Sequence, residues 1–64
     1  MWNSPYSSSD IQPNKEVIFR DSSGREREGT VILKWFDDTF NIQGTDGNTY
    51  QSVPYARISK YRSK

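Results

Sequence analysis

The stretch VPYARISKYRSK, residues 53–64, holds four cations, Arg57, Lys60, Arg62 and Lys64, with Tyr55 and Tyr61 among them and no acid beside them. Cations grouped in this way can meet phosphates, and interleaved tyrosines can stack on bases, so the chemistry on offer is that of a nucleic-acid contact. The charge distribution sharpens the point. Residues 57–64 carry +4, whereas residues 1–56 hold five cations and eight acids, 5 − 8 = −3. A chain polarised like this turns one end toward a polyanion and binds it with modest affinity. The same cations also have a plain structural use, since charge along an edge strand blocks edge-to-edge aggregation.

A second group lies in the middle of the chain. Lys34 beside Ile32, Phe36 and Tyr50 makes a stacking platform with a cation at its side, an extension of the nucleic-acid surface. Trp35, Phe36 and Tyr50 are also the residue types that anchor protein interfaces, which supports a second expectation, docking on a larger enzyme or complex. Small-molecule chemistry has little support. The acids Glu26, Glu28, Asp37 and Asp38 fall in polar and turn-like stretches, where carboxylates stay solvated rather than having their pKa values pushed apart for acid–base work. There is no histidine and no cysteine. Disulfides, thiolate nucleophiles, imidazole bases and the usual zinc ligand sets are therefore excluded, and neither catalysis nor a cofactor is expected.

Sixty-four residues make one domain near the lower limit for folding without staples, so nearly all the large apolar residues, Ile18, Ile32, Leu33 and Trp35 included, are expected to enter a small core. The chain is read as a monomer or weak homo-oligomer. No apolar run suits a signal peptide or a membrane span, and the expected setting is soluble and cytoplasmic.

Residues 1–14, MWNSPYSSSDIQPN, lack periodicity and read as a flexible leader carrying Trp2 and Tyr6. From Lys15 onward the period is two and β-branched and aromatic residues dominate, so 15–64 reads as an all-β domain. Expected strands are KEVIFRD, EGTVILKW, TFNIQG, NTYQSV and RISKYR, with a helical turn after Pro54. If Asp37-Asp38 and Asp46-Gly47 each form a two-residue hairpin turn, one face gathers Val31, Leu33, Trp35, Phe40, Ile42 and Val53. The other face then carries Thr30, Ile32, Lys34, Phe36, Asn41, Gln43, Tyr50 and Ser52. A three-residue loop with Gly47 in a bulge would instead turn Tyr50 inward beside Ile42.

This order, carried by EVIFRD, REGTVI, DGNTYQSV and VPYARI, resembles the SH3-like small barrels over residues 15–62, most closely their Tudor-like and KOW-like branches. The resemblance implies a five-stranded barrel used for binding, with a short helical turn before the last strand. Within that superfamily, polyproline readers carry an aromatic groove motif, and the loop DSSGRERE contains no aromatic. Methyl-lysine readers place cage aromatics where this chain has Arg20, Asp21, Ser22 and Gly44, Thr45, Asp46. The glycine-centred basic loop of the KOW pattern is matched by SSGRERE in part, because Glu26 and Glu28 offset Arg25 and Arg27.

Overall fold

A computed structural model describes residues 1–63. Five antiparallel strands form one sheet: β1 (Glu16–Arg20), β2 (Glu26–Lys34), β3 (Thr39–Gly44), β4 (Thr49–Pro54) and β5 (Ile58–Arg62). Their order across the sheet is β4-β3-β2-β1-β5, so β4 and β5 are its two edges. Each strand falls where β-branched and aromatic residues alternate with polar ones, and β3 coincides with the expected TFNIQG. Besides the strands, the described residues form two short 3-10 turns, Ser8–Asp10 and Tyr55–Arg57. Pro54 leads into the second of these, as its fixed φ favours. Among the described residues no helix is long and apolar enough to cross a membrane.

Both hairpins are longer than the two-residue reading. Trp35 N–H donates to the Thr39 carbonyl, so Phe36, Asp37 and Asp38 form a three-residue loop, with Asp38 in the left-handed region at φ 64°. In the next hairpin Gly44 N–H donates to Asn48 and Gly47 sits at φ 89°, where glycine meets no steric penalty. Each extra loop residue slips the register by one, and a bulge then corrects the inward alternation, although only the second bulge also restores the pairing of the two-residue reading. On β2 the pairs run Val31 with Ile42 and then Leu33 with Asn41, leaving Ile32 over. On β4 they run Ile42 with Tyr50 and then Phe40 with Val53, with Ser52 in the left-handed region at φ 55°.

The corrections preserve the inward positions of Val31, Phe40, Ile42 and Val53 but change the residues between them. Leu33 and Trp35, expected inside, face out, and Lys34 sits opposite Phe40 instead, its ammonium 5.9 Å from the ring centroid. Tyr50, expected on the outer face, turns in and meets Phe19 edge-on at 5.1 Å. Ile18 and Ile32 also lie outside the core, which consists of Ile11, Val17, Phe19, Val31, Phe40, Ile42, Val53 and Ile58.

Ile11 belongs to the stretch read as a leader, yet it is fully buried. The chain is fastened on both sides of it. Asp10 accepts the amides of Tyr6 and Ser7, Asn14 N–H donates to Val31, and Val31 N–H donates to Lys15. Burying one isoleucine contributes about 1.5–3 kcal/mol, which offsets the backbone entropy of the one or two residues beside it, and the hydrogen bonds on either side supply the rest. The core therefore begins before residue 15.

Candidate functional site

The N-terminal segment runs along the basic side of the sheet, and its contacts follow one another in order. Trp2 lies under Arg62, ring centroid to guanidinium 4.2 Å. Asn3 and Tyr61 exchange backbone hydrogen bonds of 2.8 and 2.9 Å, which covers part of the β5 edge. Ser4 Oγ accepts from Lys60 Nζ at 2.9 Å, the Pro5 carbonyl from Tyr55 at 3.4 Å, and the Ser8 carbonyl from Lys34 Nζ at 3.0 Å. Arg62 also pairs with Glu16 at 2.7 Å. Of the residues expected to meet nucleic acid, Lys34, Tyr55, Lys60, Tyr61 and Arg62 thus touch the chain's own N-terminal segment. Tyr50 points inward, Arg57 is exposed elsewhere, and Lys64 lies outside the described residues. Among the described residues, five of the seven meet the N-terminal segment, and Tyr50 and Arg57 do not join them.

A polar cluster that the sequence did not reveal surrounds Arg27, on the inward side of β2. Its Nε donates to Asp21 at 2.8 Å, and Asp46 lies 3.7 Å away. Asp21 also accepts the Ser23 hydroxyl and the amides of Ser23 and Arg25, while Asp46 accepts the Tyr50 hydroxyl. The Ser23 hydroxyl first, and Arg27 next, hold the Asp21 carboxyl well below its ordinary value of 3.8. The Tyr50 hydroxyl lowers Asp46, and Asp46 in return raises the phenol. Asp21 raises Arg27 further. Gly44, opposite Gly29, makes room for the cluster, since a Cβ there would meet Asp46 and would lie 2.8 Å from the Tyr50 ring.

These shifts predict an acid-sensitive contribution. A carboxyl whose folded pKa is depressed stabilises the fold above its unfolded value and loses that contribution as pH falls toward the folded one. Asp21→Asn is therefore expected to cost stability at pH 7, with the difference narrowing steadily below about pH 4. Urea unfolding at pH 7 and pH 3 checks this, and equal differences at the two pH values would contradict it. The raised Tyr50 phenol acts at the other end of the scale, where its contribution persists below the ordinary value of 10.0 and fades as the phenol ionises above it.

The free surface lies elsewhere. Within one five-residue run, Ile32 is 51% exposed, Leu33 41%, Trp35 43% and Phe36 99%. The bulge at Ile32 turns Leu33 and Trp35 off the inner face, so that they join Ile32 and Phe36 outside. Asn41 Oδ1 accepts from Trp35 Nε1 and from the Ser52 amide, both at 3.0 Å, linking the tryptophan to the β4 bulge. Beyond that bulge is a shallow open groove of about 130 Å³, lined by Arg20, Asp21, Gln51, Ser52, Pro54 and Arg57. No family model, curated protein or solved structure matches the chain.

Proposed function

We propose that the chain is a non-catalytic binding module of SH3-like barrel type that docks on a larger protein through the β2–β3 hairpin. The barrel reading is supported by the sheet order β4-β3-β2-β1-β5 and by the 3-10 turn between β4 and β5. The docking reading rests on one observation, the exposure of Ile32, Leu33, Trp35 and Phe36 in a single stretch. Isolated apolar residues at a surface are ordinary, but four within five positions, two of them aromatic, match the composition of an interface centre. Trp35 supplies a rigid anchor whose N–H is already satisfied, and Phe36 at the loop tip supplies area that water covers in the free protein.

A Trp35→Ala/Phe36→Ala variant is expected to keep its melting temperature within a few degrees and to lose at least tenfold in affinity for the partner, since interface aromatics each contribute about 2 kcal/mol or more. Capture on immobilised wild type and variant, read alongside thermal melts, checks both parts.

Nucleic-acid binding is the second reading, and the alternation of Lys60 and Arg62 on the outward side of β5, with Arg57 just before them, favours it. A fluorescently labelled oligonucleotide that binds with steep salt dependence would support it. The contacts already made by Lys60, Arg62 and Lys34 place it behind protein docking.

A further inference from the structure

Arg20, at the end of β1, and Arg57, at the end of the second 3-10 turn, both line the groove, and the pairing of Phe19 with Ile58 sets them side by side. Among the described residues neither side chain makes a hydrogen bond or an ion pair, in contrast to Arg27 and Arg62. The one acid lining the groove, Asp21, is committed to Ser23, Arg25 and Arg27. Two neighbouring guanidinium groups thus line a cleft whose only carboxylate is already matched. Gln51 and Ser52 add polar side chains, and Ser52 is held at φ 55° by the bulge that joins the groove to Trp35.

Resting on the protein-docking reading above, we propose that this groove is the acidic-side-chain subsite of the docking surface. An extended partner segment would place a glutamate or aspartate between Arg20 and Arg57 and its neighbouring apolar side chains on Trp35 and Leu33. A guanidinium fork matches a carboxylate in shape and charge, and a pair of them selects for an acid over a neutral side chain. Charge complementarity favours a single carboxylate over a run of phosphates. Glu26 stands opposite Arg20 in the β1–β2 register, and Asp37 lies in the Trp35 hairpin loop, so a polyanion following this face would meet like charge.

The test is an NMR titration of the ¹⁵N-labelled full chain with sodium glutarate, against sodium chloride at equal ionic strength. Saturable shifts are expected at the Arg20 and Arg57 Nε–H signals and at the amides of Gln51 and Ser52. Arg57→Ala and Arg20→Ala are each expected to weaken glutarate at least fivefold, while Arg25→Ala leaves it unchanged. Shifts that never saturate, or that spread equally to Arg25 and Lys60, would overturn the subsite. Inorganic phosphate or a ten-residue oligothymidylate binding tenfold tighter than glutarate would overturn the acidic-peptide occupant. The same titration on Trp35→Ala/Phe36→Ala separates the two readings, because glutarate still binds there if the subsite stands, whatever becomes of the partner.

Discussion

Replacing Ile11 with alanine is expected to lower the unfolding free energy by about 2–5 kcal/mol, the range for truncating a fully buried isoleucine. A chain of this length has about 3–10 kcal/mol in total, so the variant would sit close to its unfolding midpoint at 37 °C. The reason is geometric. Ile11 belongs to a core to which all five strands contribute, and nothing beside it in sequence replaces it, since Gln12 and Pro13 are exposed. Removing residues 1–9 instead is expected to cost less, because that stretch buries no side chain in the core. Circular dichroism melts of the two proteins make the comparison. A truncation costing more than Ile11→Ala would mean that the hydrogen bonds along β5, rather than the isoleucine, hold the segment.

The second large effect is expected from Gly29→Ala. A methyl group there would lie 2.6 Å from Ile42 Cγ2 and closer still to the Gln43 carbonyl oxygen. Ile42 is in the core and Gln43 is sheet backbone, so neither neighbour can turn aside and β3 must move as a unit. Overpacking of this kind costs about 1–3 kcal/mol, and displacing β3 also pulls Asp46 and Tyr50 away from Arg27. Gly24→Ala is the control. It replaces a left-handed glycine at φ 85° with open space around it, so only backbone strain of about 1–2 kcal/mol is expected, with no neighbour displaced. Urea titrations of both variants should rank Gly29→Ala as the more damaging, and the reverse order would show that the Gly29–Gly44 approach is looser than it appears.

Strand positions were readable because Val17, Phe19, Val31, Phe40, Ile42 and Val53 alternate with polar neighbours, and a period of two survives a change of partner. The register was harder. Asp37-Asp38 suits a tight turn, but the chain uses Asp38 as the left-handed third residue of a longer loop, and the bulge at Ile32 adds a second slip that pairs Val31 with Ile42 and restores only the inward alternation. A bulge leaves no mark on composition, so Leu33 and Trp35 changed faces without a signal. In the second hairpin the three-residue loop moved Tyr50 inward, while the Ser52 bulge kept the Phe40–Val53 pair of the two-residue reading. Each of the two readings of that turn describes part of the strand.

Ile11 was hidden for another reason. A lone isoleucine between Ser, Asp, Gln and Pro has no periodicity, and only the tertiary fold gives it a place. The same holds for the Arg27 cluster, whose members come from the β1–β2 loop, β2, the β3–β4 loop and β4. Of the candidate interface, Trp35 and Phe36 were identified from residue type alone. The groove beside them, made by Arg20 and Arg57 from distant parts of the chain, was not.

Docking of a protein on the exposed β2–β3 hairpin face is read by passing nuclease-treated lysate of the source cells over the immobilised wild-type chain and over the Trp35→Ala/Phe36→Ala variant, with bound proteins weighed against bait. A stoichiometric protein partner is expected on the wild type that survives nuclease and is lost from a variant that still melts like the wild type. A partner retained equally by both, or one that disappears with nuclease treatment, would contradict it.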